Sequence, residues 1–344
     1  MRRKLTLRDL AEQLGLARST VSRALRDDPQ IAEGTRARVR QLADTLGYRP
    51  DAAARALTRR RTQAVGLMLP RSSELVFANP YFSELLLGVT SRAEEAGFPL
   101  LLSTAPRPDF TLWLREGRVD GLIVLGSSVT DDDVEELNRS IAARAPVVAI
   151  HAGPRGLAAV SIGSNERAGV WQALAHLEQL GRRRVAFLSG PRGSRYTERR
   201  IRAYRTGVET FDLVADRALL VPADDRRSGG AEACARLLDR GTPFDALLGN
   251  NDLVALGAMT ALAAAGRAVP DDVAVVGFDD TPLAAVARPA LTSVRQPTRR
   301  LGEMAFDALL TLMAGGTVQS VRLATQLIVR DSTGPPAAME VLPA

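Results

Sequence analysis

One cysteine and two histidines are all that 344 residues offer of the side chains that most often bind metals or attack substrates. The lone Cys234, set in Ala231-Glu232-Ala233-Cys234-Ala235, cannot form an intramolecular disulfide and reads as part of a packed helix in a reducing compartment. His151 and His176 show no metal-ligand spacing. The sequence contains neither a nucleophile elbow nor a glycine loop that would cradle phosphates, so no metal or cofactor is expected. His176, within Leu174-Ala175-His176-Leu177, reads as helix packing. Asp279 and Asp280 are acidic neighbours, but adjacent side chains on or just after a strand point apart and make a poor catalytic pair. Enzyme chemistry therefore has no carrier. No apolar run reaches the ~18 residues that a membrane span needs, and Met1-Arg2-Arg3-Lys4 leads into an amphipathic stretch, unlike a secretory signal. A soluble, cytoplasmic protein is predicted.

What is present is length, apolar content and an uneven charge. At 46% apolar, the chain exceeds one ordinary core and predicts two or three domains. Residues 1–62 hold 15 of the 45 Arg and Lys but 7 of the 39 Asp and Glu, a net +8, which leaves −2 on the remainder. A basic head on a near-neutral body predicts a polyanionic partner at one end. The alternative, a solvated charged tail, is disfavoured because the basic positions interleave with periodic apolar ones.

That periodicity is specific. Leu7, Leu10, Ala11 and Leu14 recur at helical spacing behind Thr6, with Asp9 three residues on as a variant capping box. Gly15 breaks the run. Val21, Ala24 and Leu25 restart it, with Arg18, Ser19, Ser22 and Arg23 on a donor-rich face, which is a helix-turn-helix pattern. A third helix is predicted over 33–46, stopped by Gly47. Asp51 to Leu57 has high helix propensity but is too short to be helical alone. A basic linker, Thr58 to Gln63, follows.

Beyond it, short apolar strands alternate with helix-length stretches: 64–69, 100–103, 121–125, 147–150 and 159–162, then 185–188, 246–248 and 273–278. Continuous apolar strands between helices imply parallel sheets covered on both faces, and two series imply two doubly wound lobes. Ligands in that architecture lie beyond the carboxyl ends of the strands.

Together these residues resemble a bacterial transcriptional regulator of the lac-repressor (LacI/GalR) family. The likeness covers nearly the whole chain and rests on Leu7-Arg8-Asp9-Leu10-Ala11, Ser19-Thr20-Val21-Ser22-Arg23, Gly47-Tyr48-Arg49-Pro50, Ala53-Ala54-Arg55-Ala56-Leu57 and Val119-Asp120-Gly121-Leu122-Ile123. It continues through Asn251-Asp252-Leu253-Val254-Ala255-Leu256-Gly257-Ala258, Val275-Val276-Gly277-Phe278-Asp279-Asp280 and Leu291-Thr292-Ser293-Val294-Arg295-Gln296-Pro297. The resemblance implies an all-α helix-turn-helix head (1–49), a hinge helix and linker (50–62), and a two-lobed periplasmic-binding-protein-like α/β core. The first lobe would comprise 63–161 plus 293–323, and the second 162–292 plus 324–344. Compared with that family, the stretch from Leu102 to Val119 is short, which implies a truncated second helix in the first lobe.

It also implies partners: double-stranded, pseudo-palindromic operator DNA, a second copy of the chain, and a small-molecule effector, a sugar or sugar derivative, in the interlobe cleft. Arg18 and Ser19 occupy base-reading positions, while Thr6, Ser22, Arg23 and Thr35 would position the head on phosphates or groove edges. Thr20, Tyr48, Ala54 and Arg55 complete the expected DNA set. Leu57, on a hinge helix that folds on DNA beside its dimer mate, would wedge into a minor-groove base step. Ala17 stands where relatives usually have a capping Ser, so a side-chain cap is lost.

For the effector, the post-strand positions are Asn79, Phe82, Ser127, His151, Ser164, Asn165, Arg200, Asn251, Asp279 and Gln296. A helix cap or turn is the structural alternative at each. His151 and Ser164 replace acids often seen in relatives, and Arg195, Arg199 and Arg200 crowd one segment, which predicts a positive pocket suited to a phosphorylated or acidic sugar. A two-lobed solute receptor with no DNA role is the rival reading, opposed by the basic head. Residues after Arg330 lack sustained heptads, which favours a dimer over a tetramer.

Overall fold

A computed structural model of the chain describes residues 5–48, 62–69, 73–104, 109–126, 129–191 and 194–334. The chain divides into two compact units, Met1–Thr62 and Gln63–Ala344. Ala54, Arg55 and Leu57 of the expected hinge, and Ser127 of the expected effector set, lie outside the described residues.

The first unit contains α1 (Leu7–Leu14), α2 (Arg18–Ala24) and α3 (Glu33–Thr45). Thr6 caps α1 by the expected box: its backbone N–H donates to Asp9 Oδ2 at 2.7 Å, and its hydroxyl accepts from the Asp9 N–H at 3.3 Å. Gly15 ends α1 at φ 65°, a left-handed conformation that glycine adopts without steric cost. Leu10, Ala11, Val21, Ala24, Val39 and Ala43 bury between the three helices, and Tyr48 packs against them.

In the second unit, chain order gives β1 (Val65–Met68), α4 (Ser73–Ala78), α5 (Pro80–Glu95), β2 (Leu100–Ser103), α6 (Leu112–Arg115), β3 (Gly121–Leu125), α7 (Asp131–Ala142), β4 (Val147–Ile150), β5 (Val160–Ser164) and α8 (Glu166–Gln179). Then come β6 (Val185–Ser189), α9 (Arg195–Thr210), β7 (Leu220–Pro222), α10 (Arg227–Asp239), β8 (Ala246–Gly249), α11 (Asp252–Ala264), β9 (Ala274–Asp279) and α12 (Pro282–Val286). The chain continues with β10 (Thr292–Arg295), α13 (Thr298–Met313), β11 (Val321–Leu323) and β12 (Gln326–Ile328).

These strands form two six-stranded sheets, ordered β11-β5-β4-β3-β1-β2 and β12-β10-β9-β8-β6-β7. Alternate residues of the central strands enter opposite cores, Leu67 and Ile123 on one face of the first sheet, Met68 and Leu122 on the other. Burial on both faces is why these strands read as unbroken apolar runs. Each fully buried large side chain, such as Leu85 or Phe306, contributes roughly 1.5–3 kcal/mol relative to exposure. The truncated helix is found as the four residues of α6, and the neighbouring edge strand β2 keeps Leu101 and Leu102 partly exposed.

Two expectations need correction. The sheets are not wholly parallel, since β12 runs antiparallel to β10. The lobe boundaries also shift: β5 stays in the first sheet through Ser164, and β10 belongs to the second sheet through Arg295. Divisions at 161/162 and 292/293 would cut through both strands. The crossovers instead fall just after Ser164 and after Arg295, and α13 returns to pack on α5 in the first lobe. Gly88 and Gly302 permit that contact, because a Cβ on Gly302 would stand 2.4 Å from the Leu85 carbonyl oxygen.

Candidate functional site

The head offers the first surface. Arg18 and Ser19 are exposed on the first turn of α2, and Ala17 at its N-cap makes no side-chain hydrogen bond, as expected from the missing hydroxyl. Thr20, Ser22, Arg23 and Thr35 are partly buried. Arg23 is engaged within the head: its Nε lies 2.8 Å from Asp28 Oδ2 and its guanidinium donates to Gln30 Oε1. Asp28 also accepts at its carbonyl from Arg36 at 3.2 Å. Arg23 thus braces the turn between α2 and α3.

The second site is a cavity of about 230 Å³ where the strand ends of the two lobes meet. In each sheet the strand order reverses beside one strand, at β1 and at β6, and open α/β folds bind ligands at such points. Asn79, Phe82, His151, Arg200, Asn251, Asp279 and Gln296 line it together. Asn79 and Asn251 also cap helices: Asn79 Oδ1 accepts from Tyr81 N at 3.0 Å, and Asn251 Oδ1 from Val254 N at 2.8 Å. Ser164 and Asn165 line an adjoining cavity instead. Ser164 donates to Gln296 Oε1, Gln296 Nε2 donates to Asp279 Oδ1 at 2.7 Å, and this chain of bonds ties the ends of β5, β10 and β9.

Sequence reasoning missed Tyr81, Glu166, Tyr196, Asp225 and Asn250, which also line the cavity. Tyr81 Oη lies 2.7 Å from His151 Nε2. Burial lowers the His151 pKa to about 4, so the ring that shares this hydrogen bond with the phenol is neutral at pH 7. Tyr196 donates to Asp225, whose pKa burial raises to about 6 against the lowering effect of Asn250. Burial likewise holds Asp279 well above the usual carboxylate range despite Arg200. Three non-glycine residues at the strand ends adopt left-handed φ: His151 at 58°, Asp279 at 115° and Asp280 at 55°. Backbone strain of this kind concentrates at ligand sites.

Among the described residues, the interlobe cavity is not the positive pocket expected. Arg195 pairs with Asp131 at 2.5 Å, Arg199 Nε with Glu166 at 2.7 Å, and Arg200 lies 3.7 Å from Glu166 while donating to the Asn250 carbonyl. Burial would raise Glu166, but Arg200 and Arg199 outweigh it and hold the carboxyl below its ordinary range. Among the described residues, the cavity is lined by three carboxyl groups, Glu166, Asp225 and Asp279, against one arginine. Glu166, delivered by the fold from the start of α8, pairs with arginines that in sequence stand as an unrelieved cluster.

Polar atoms without partners complete the picture. Among the described residues, Ser194 Oγ, Arg200 Nε and Asn250 Oδ1 are buried and make no hydrogen bond. All three residues line the cavity. They supply a hydroxyl, a cationic donor and an amide acceptor, the mixed set that a polyhydroxylated molecule can satisfy. Arg200 is fixed for this task by stacking 3.8 Å from the Phe278 ring centroid.

A helical head of this pattern joined to a two-lobed core defines a class, the DNA-binding regulators built on a periplasmic-binding-protein-like body. Residues 6–51 match the family described as Bacterial regulatory proteins, lacI family, and residues 174–333 match a Periplasmic binding protein-like domain. The chain is 34% identical over 341 residues to the HTH-type transcriptional regulator CelR of Thermobifida fusca, covering 96% of this chain and 99% of that one. A solved transcriptional regulator CelR-cellobiose complex aligns with a TM-score of 0.71 at 33% identity, over 95% of this chain and 99% of the other. The lac repressor dimer bound to operator and the anti-inducer ONPF aligns with a TM-score of 0.87 at 26% identity, over 97% and 100%. The chain belongs to the lacI family of bacterial regulatory proteins and is a transcriptional regulator, not an enzyme.

Proposed function

We propose that this regulator is a cytoplasmic homodimeric repressor that grips a pseudo-palindromic operator and whose affinity is set by a neutral sugar in the interlobe cavity. The observation that carries the ligand class is the unpartnered trio of Ser194, Arg200 and Asn250 in a cavity with no excess of cations among the described residues. A phosphorylated or acidic sugar would meet three carboxyl groups there; a neutral one meets donors, acceptors and the face of Phe82. The cellobiose in the related CelR complex supports the same chemistry.

On the DNA side, Arg18 and Ser19 at the exposed start of α2 read bases, with Thr6, Thr20, Ser22, Thr35 and Tyr48 positioning the head. Leu57 is assigned the minor-groove wedge, with Ala54 and Arg55 on the same segment. The dimer rests on the likeness to the lac repressor dimer and on the two-fold symmetry that a palindrome requires. Sugar binding shifts the population of lobe arrangements, and with it the chance that two hinge segments meet on DNA.

Thermal shift and calorimetry with neutral saccharides against their phosphates test the ligand class. Neutral sugars alone should raise the melting temperature, as mass action requires of a ligand that binds the native state. Binding restricted to phosphorylated sugars would reject the reading.

A further inference from the structure

The interlobe cavity adjoins a second opening of about 300 Å³, and His151 and Glu166 form part of the wall of both. The charge of the second is the reverse of the first. Arg167, Arg199, Arg202 and Arg322 line it, and among the described residues Glu166 is its only acidic wall. Glu166 is already held by Arg199 at 2.7 Å. Among the described residues, no carboxylate lies within ion-pair distance of Arg167, Arg202 or Arg322. A concave surface carrying three unbalanced cations focuses its field and attracts anions.

The donors are also organised. Arg167 stacks 4.2 Å from the Trp171 ring centroid, which restrains its fork. Arg199 and Arg202 are three residues apart on α9 and so share a helix face. Arg322 comes from β11, in the sheet of the first lobe, while α8 and α9 belong to the second. Guanidinium groups match phosphate oxygens in pairs, which a lysine cluster would not. A neutral sugar has no use for such a set.

We propose that this opening is a second ligand site, specific for a small multivalent anion of the phosphate-ester or phosphoanhydride class and separate from the sugar cavity. Because its arginines come from both lobes, a bound anion cross-links them and favours the lobe arrangement in which Arg322 and Arg202 can share it. The site stands whether or not the sugar reading of the first cavity holds.

The test is calorimetric titration of the full chain with inorganic pyrophosphate at constant ionic strength, beside the double variant R202Q/R322Q. Both arginines are exposed and unpaired, so the variant should melt like the parent, which circular dichroism checks. Saturable binding to the parent is expected, weakened roughly tenfold or more in the variant, as fits the loss of charge-assisted hydrogen bonds. Equal affinity in the two proteins would assign the anion to the basic head and overturn the proposal. So would the absence of saturable binding to the parent.

Discussion

Glu166 serves two arginines and both cavities, which makes it the residue whose loss should be felt most. Arg200 is 5% exposed and has no other carboxylate at ion-pair distance among the described residues. Replacing Glu166 by Gln leaves that charge buried and uncompensated, and urea unfolding should show a loss of about 3 kcal/mol, the low end for breaking a buried pair. A change of only a few tenths would contradict this account. His151 makes a second residue-scale prediction. Its folded pKa of about 4 lies below the unfolded value of 6.5, so the unfolded chain takes up the proton first and the imidazole's contribution to stability is lost as pH falls from about 6.5 towards 4. Asp225, raised to about 6 from 3.8, has the opposite sign: its contribution is full below 3.8 and disappears as pH rises through about 6. In NMR the His151 ring should remain neutral at pH 5.5, and a midpoint near 6.5 would refute its burial. At the DNA surface, Arg18→Ala should cost about 1–3 kcal/mol of discrimination at one base pair. A uniform loss on all sequences would reduce Arg18 to a phosphate contact.

At the scale of elements, the tightest packing is between helices. On α11, a Cβ at Gly257 would stand 1.9 Å from the Arg227 carbonyl oxygen of α10. Gly257→Ala forces the pair apart and should lower stability by about 1–3 kcal/mol, read as a shift in melting temperature. An unchanged melting temperature would show that the helices yield freely. Which elements could be read from sequence follows from the same physics. Central strands such as β3 and β4 are buried on both faces and were legible as apolar runs, and Gly15 and Gly47 marked helix ends by their left-handed φ. The strands β7, β10 and β11 are not legible as apolar runs, and β12 is expected only as an unplaced last strand. β10 is rich in hydroxyls because Ser293 donates to Asp252 at 2.5 Å and the Thr292 N–H donates to Ser332 at 2.8 Å, so its polar groups are satisfied inside the fold. β11 and β12 are three residues each and only partly buried. The site divides in the same way. Asn251 and Asp279 follow or end strands and could be found; Asn79, also expected after a strand, instead joins α4 to α5 and caps the latter. Asp225, by contrast, follows the unrecognised β7, and Glu166 acquires meaning only beside Arg199 and Arg200. Tyr196 left a usable signal, one helical turn before Arg200.

For the whole molecule, residues 50–62 connect the head, proposed to read DNA, to the core, proposed to sense a sugar. Leu57→Ala should leave the fold and ligand binding intact yet abolish most specific DNA affinity; unchanged operator binding would remove Leu57 from its assigned role. DNA binding should also weaken steeply with salt, because a head carrying +8 displaces counterions from phosphates. The central claim is that a neutral sugar in the interlobe cavity controls the grip on DNA. Its most direct test is fluorescence anisotropy of a duplex selected from a random pool, titrated with the protein in the presence of a panel of neutral mono- and disaccharides, with Asn251→Ala as the cavity variant. At least one neutral saccharide should change the parent's DNA affinity about tenfold or more, within the usual range of allosteric coupling, and Asn251→Ala should bind the duplex normally without responding. A parent whose DNA affinity no neutral saccharide alters, or a variant that responds like the parent, would contradict the claim.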